Sequence, residues 1–162
     1  MHLLQPNEIS QYSRDMSIHM DEKRVNAFIR EAENIDLKPT LGYLLEEIKK
    51  APEGFTLLLE GGEYTTSCGE IKTIVGLKAA LAYYTYSRII KSGDINLARF
   101  GAVYKEVGES SRLTEKERVI ASNDAYSVAN RYLQECVEYL GSDCKNKRTI
   151  KSNRIIYKVI GD

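Results

Sequence analysis

Gly76-Leu77-Lys78-Ala79-Ala80-Leu81-Ala82-Tyr83-Tyr84-Thr85-Tyr86-Ser87-Arg88-Ile89-Ile90 is the stretch that decides the fold. Ile74, Leu77, Leu81, Tyr84 and Arg88 recur at the spacing of one helix face. Ala79, Ala80 and Ala82 let another helix approach closely, and Ile89-Ile90 add apolar area. The period predicts a long apolar helix over residues 70–91, ended by Ser92-Gly93-Asp94.

A helix this apolar needs partners, and the sequence supplies them. Thr114-Glu115-Lys116-Glu117 is a capping box, in which a hydroxyl and a carboxylate reciprocally satisfy orphan backbone donors. The helix that follows, to residue 140, is expected to bury Tyr126, Ala129, Leu133, Cys136, Val137 and Leu140, with Gly141 as its C-cap. Asp21 is an N-cap, with Met20 and Val25 as a hydrophobic staple, and Val25, Phe28, Ile29 and Ala32 form an inward stripe. Pro39 suits the first turn of a helix over residues 40–50, closed by Ala51-Pro52. Residues 6–12 make a short first helix. Two β-prone runs, residues 55–60 and 63–68, flank Gly61-Gly62 and predict a hairpin with a two-residue turn. Residues 94–112 hold no helical period and read as a long loop, in which residues 100–107 can be extended. The fold class is therefore mainly α: an antiparallel helical bundle with a small β-hairpin, a long loop and an extended C-terminal arm.

Charge divides the chain at the same place as pattern. The 162 residues carry 23 Lys/Arg and 23 Asp/Glu, a net of zero. Residues 145–162 hold six Lys/Arg against the single acid Asp162, a net of +5, so residues 1–144 carry −5. The division gives a helical body, residues 1–144, and a basic, β-prone arm, residues 145–162. Ile150, Ile155, Ile156, Tyr157, Val159 and Ile160 are too apolar to remain in water, so the arm is expected to pair with another subunit or an acidic partner. Its candidate binding residues are Lys151, Arg154, Ile155, Ile156, Tyr157, Lys158, Val159 and Ile160. Eleven Tyr and no Trp suit either half-buried interface positions or a tyrosine-rich core. Cys68, Cys136 and Cys144 are odd in number and lack metal-ligand spacing, which favours a reducing compartment. The N-terminus does not read as a signal peptide, and no window has the roughly 18 apolar residues of a membrane span.

The usual chemistries are missing from the pattern. Gly69 to Lys78 fails the phosphate-loop spacing, and its glycines read as hairpin exit and helix entry. The two histidines, His2 and His19, do not converge with other ligands, and His19 reads as a solvated loop residue. Glu31/Glu33, Glu46-Glu47 and Glu115/Glu117 read as solvated helix faces. Ser110-Ser111 lacks the strand–turn–helix setting of a nucleophile. Arg88 either finds a carboxylate or snorkels to the surface. No catalytic, cofactor or metal residue is assigned, and the chain reads as an assembly protein and not as an enzyme.

Asn7-Glu8-Ile9-Ser10, Ile29-Arg30-Glu31-Ala32-Glu33 and Leu37-Lys38-Pro39-Thr40-Leu41-Gly42 resemble the start of phage head-to-tail connector (adaptor) proteins. Leu59-Glu60-Gly61-Gly62-Glu63-Tyr64, residues 76–84, Tyr86-Ser87-Arg88, Phe100-Gly101-Ala102-Val103-Tyr104-Lys105 and Lys158-Val159-Ile160-Gly161-Asp162 are similar to a connector group from phages and prophages of Bacteroidetes, including crAss-like phages. The resemblance implies a structural virion protein of the neck, assembled in the host cytoplasm. It implies a ring of identical subunits, commonly twelvefold, bound beneath the portal protein and followed by the next tail or neck protein. DNA would pass through the ring without sequence readout, and neither a cofactor nor a membrane is implied. The other reading is a nucleic-acid-binding module that uses the basic arm on phosphates. The acidic body weighs against it.

Overall fold

The computed structural model describes residues 2–14, 21–92, 95–98, 101–104 and 114–142. Helix α6, Leu77–Ser92, lies at the centre. Leu77, Ala80, Leu81, Ala82 and Thr85 are fully buried, and Ala79, Tyr84 and Ser87 nearly so, which leaves little of the helix to solvent. The long helix α7, Glu115–Ser142, runs antiparallel along it. Tyr83 meets Tyr132 and Tyr84 bonds Asn130, while Ser87 sits opposite Ser122. That serine pair closes reciprocally: Ser87 Oγ donates to the Ser122 carbonyl at 2.9 Å and Ser122 Oγ to the Ser87 carbonyl at 3.1 Å. Such bonds require the close backbone approach that the small residues of α6 and Ala125 and Ala129 of α7 permit. The capping box holds as expected, with Thr114 N–H donating to Glu117 at 2.8 Å and Glu117 N–H to Thr114 Oγ1 at 3.3 Å.

The N-terminal half wraps the other sides of α6. A 3-10 turn, Pro6–Glu8, leads into α1, Ile9–Tyr12. Helix α2, Glu22–Ala32, is capped by the Asp21 carboxylate, which accepts Lys23 N–H at 3.0 Å. Val25, Ile29 and Ala32 are buried, as the stripe predicts. The chain then passes through a π-helical turn, Glu33–Leu37, into α3, Lys38–Leu41, with Pro39 in its first turn. Gly42, at φ 57°, ends that piece, and α4, Leu44–Lys50, follows. The single helix predicted for 40–50 is thus split at a glycine. After Ala51, a 3-10 turn, Pro52–Phe55, feeds α5, Thr56–Glu60.

Two further expectations shift in the middle of the chain. Residues 56–60 are helical where a strand is predicted, because Leu58 and Leu59 bury against the core and packing overrides local β preference. Gly61 is therefore a helix terminator, its N–H bonded to the Leu57 carbonyl at 3.0 Å with φ at 85°. The hairpin lies further on: β1, Gly62–Thr65, pairs antiparallel with β2, Ile71–Ile74, from Gly62↔Ile74 to Thr65↔Ile71. Helix α6 starts at Leu77 instead of near 70 because β2 takes those residues. At the hairpin base two backbones cross. A Cβ on Gly61 would lie 2.4 Å from the Val75 carbonyl oxygen, and one on Gly76, at φ 101°, would lie 2.6 Å from the Leu59 carbonyl oxygen.

Within the predicted loop 94–112, β3, Ile95–Ala98, and β4, Gly101–Tyr104, form a second antiparallel hairpin. The rest of that stretch, like Met20, His19 and the arm, lies outside the described residues. Gly141 falls inside α7 and does not cap it. Tyr126 is 43% exposed, against the expectation of a buried residue, while Ala129, Leu133 and Cys136 are buried and Val137 and Leu140 half-buried. The mainly α class with a small hairpin stands.

Leu81 is fully buried, so Leu81→Ala should cost roughly 2–5 kcal/mol in urea unfolding. Gly76→Ala should cost more than about 1 kcal/mol through its backbone clash and positive φ. A wild-type unfolding midpoint for either variant would contradict the packing described.

Candidate functional site

A cluster of charged side chains surrounds a cleft of about 360 Å³ between the N-terminal segment, α4, α5 and the first turn of α6. His2, Glu8, Lys49, Glu60 and Lys78 line it. Behind it sits Glu33, on the π-helical turn and only 2% exposed. Its carboxylate accepts from Lys49 Nζ at 2.8 Å, from Leu3 N–H at 2.9 Å and meets His2 Nδ1 at 3.2 Å. Burial opposes ionisation of Glu33, but the Lys49, Leu3 and His2 contacts together outweigh it and hold the carboxyl below the usual glutamate range.

A second cluster faces the first across the cleft. Lys78 Nζ lies 2.6 Å from Glu60 Oε1 and 3.5 Å from Glu8 Oε1, and the Tyr12 hydroxyl donates to Glu60 Oε2. The hydrogen bond to Glu60 raises the Lys78 pKa, and the bonds from Lys78 and Tyr12 lower that of Glu60. Each lysine in the cleft is thus matched by carboxylate. The arrangement fastens residues 2–14 to the core and leaves neither a nucleophile–base pair nor an unmatched cation to bind phosphate. Among the described residues no group of three or more His, Cys, Asp or Glu could hold a metal ion.

The far end of α6 repeats the pattern. Arg88 pairs with Asp36 Oδ2 at 2.6 Å and approaches Glu31 at 3.9 Å, so it finds carboxylates and does not simply snorkel. The Tyr126 hydroxyl donates to Asp36 Oδ1 at 3.4 Å, and its ring packs edge-on against Tyr84 at 5.2 Å. Burial, with Tyr126 and Asp36 nearby, raises the Tyr84 hydroxyl pKa, and that hydroxyl donates to Asn130 Oδ1 at 2.7 Å. Burial also pushes the Cys136 thiol up to about 12, outside the reactive range, whereas Cys68 is exposed.

The arm residues singled out from sequence, Lys151, Arg154, Ile155, Ile156, Tyr157, Lys158, Val159 and Ile160, lie outside the described residues. Near the end of α7, the Tyr139 ring packs edge-on against Tyr64 of β1 at 4.8 Å. Sequence reading missed Glu33 and Asp36, taking the Glu31/Glu33 pair as solvated. A signal existed: extending the Val25–Ile29–Ala32 stripe by four residues from Ile29 and from Ala32 lands on these two carboxylates.

These features define a mainly α domain built around one buried helix, with Lys49, Lys78 and Arg88 held in internal clamps. The chain belongs to the family of unknown function DUF6712, whose sequence profile matches residues 37–151, from the π-helical turn through α7 and into the arm. No curated protein and no solved structure matches it. No helix among the described residues is long and apolar enough to cross a membrane.

Because Glu33 is held below its ordinary pKa, its contribution is complete above the ordinary glutamate range and is lost as pH falls through the lowered folded-state value. Glu33→Gln, which leaves Lys49 without its carboxylate, should cost about 1–3 kcal/mol at neutral pH. The gap to wild type should close in acid. A gap independent of pH in urea melts would contradict the clamp.

Proposed function

We propose that this chain is a structural subunit of a phage neck: a head-to-tail connector (adaptor) that forms a ring below the portal, joins capsid to tail and surrounds the DNA passage. The observation that carries this reading is the division of charge, −5 on residues 1–144 and +5 on residues 145–162. Complementary charge on one chain lets identical copies engage head to tail, the arrangement that closes into rings. Two further features support it. The charged clusters of the body are matched internally, which suits a scaffold more than a catalyst. The sequence also resembles connector proteins along most of its length. In this reading the partners are other copies of the chain, the portal and the next neck or tail protein. The DNA is a neighbour and not a ligand, no cofactor is required, and the protein resides in the virion.

Deleting residues 146–162 should leave the circular dichroism spectrum of the body unchanged and abolish incorporation into particles. Particles that assemble normally with the truncated chain would overturn the reading. Tight binding of the full chain to duplex DNA, falling steeply with salt and lost with the arm, would favour the nucleic-acid module instead.

A further inference from the structure

Among the described residues the hairpin β1–β2 is a sheet of two strands, and such a ribbon is marginal by itself. One face is covered: Ile74 is buried and Tyr64 packs on Tyr139 of α7. The other face carries Ile71 and Thr73, with Thr65 and Glu63 opposite them in register, and all four are exposed. Ile71 is 73% exposed and the adjoining Val75 44%, so β-branched apolar groups line an open sheet face with acids, Glu63 and Glu70, beside them.

We propose that this hairpin is the docking site for the arm of a second copy, whose residues 154–160 add a strand at its open edge. The inference rests on the reading of the chain as a self-assembling subunit, and it names the surface that receives the arm. The arm has the chemistry to fit. Ile155, Tyr157 and Val159 alternate onto one face of an extended strand, where they continue the apolar row of Ile71 and Val75. Arg154 and Lys158 bring positive charge to a hairpin that displays two acids, Glu63 and Glu70, against one cation, Lys72, which lies 3.9 Å from Glu70.

Helix α7 packs beside the hairpin and sets its orientation. Cys136 lies beside the Gly76 backbone at the hairpin base, and Tyr139 meets Tyr64 nearer the turn. The helix therefore runs along the hairpin from its base toward its tip. Residues 145–160 extended span about 50 Å, ample to reach an adjacent copy.

Two full-length variants test this, each with Cys68→Ser and Cys144→Ser and each with a distinguishable tag. One carries Ile71→Cys and the other Tyr157→Cys. Mixed and oxidised at high concentration, they should give a disulfide-linked heterodimer on a non-reducing gel, and Ile35→Cys in place of Ile71→Cys should not. Equal cross-linking through Ile35→Cys, no cross-link at all, or a bridge that forms only inside one doubly substituted chain would overturn the proposal. The neck reading fails separately: a specific heterodimer from a chain absent from particle necks leaves the docking inference standing, and a neck ring without the cross-link does the reverse.

Discussion

The burial of α6 on nearly every side is the constraint from which the rest of the structure follows. A helix with a single apolar stripe can lie on a surface, but one with Leu77, Ala80, Leu81, Ala82, Tyr84 and Ser87 all buried must be surrounded. Helices α1, α2, α5 and α7 do so, and the alanines let α7 come close enough for the Ser87–Ser122 bonds. The same constraint explains where the charges go. Lys78 in the first turn and Arg88 near the last are held at the two ends of the buried length, and each draws carboxylates from other elements. Lys78 holds α1 and α5 through Tyr12 and Glu60, and Arg88 holds the π-helical turn through Asp36. Partly exposed pairs such as Lys78–Glu60 contribute little each. Their role is chiefly to fix which elements pack where, and the apolar core supplies most of the stability.

Where local chemistry was sufficient, the elements were legible from the chain alone. Asp21 before the Val25–Ile29–Ala32 stripe marks α2, and Thr114 with Glu117 marks α7, because caps and periodicity act within a few residues. The misreadings arise where a distant contact overrides a local preference. Residues 56–60 look β-prone, yet Leu58 and Leu59 are drawn into a helix by the core. Gly61-Gly62 looks like a hairpin turn, yet Gly61 is glycine because its backbone crosses that of residues 74–76, a proximity that no window of sequence reveals. Tyr126 lies on the expected face of α7, but its ring closes over Tyr84 and Asp36 from outside. Glu33 and Asp36 could be found only by asking why acids continue an apolar stripe.

The body that results ties its N-terminal segment and its π-helical turn to one buried helix. Lys49, Lys78 and Arg88 are matched by carboxylates, the buried Cys136 thiol is held protonated, and the N-terminal segment lines the cleft. Among the described residues the body leaves the β1–β2 hairpin half-covered. Electron cryo-microscopy of the neck of particles that contain this chain is the most direct measurement of the central claim. The account predicts a closed ring of density below the portal into which copies of the α6–α7 body fit, linked by extended density between neighbours. A neck whose density accommodates no copy of that body would contradict it.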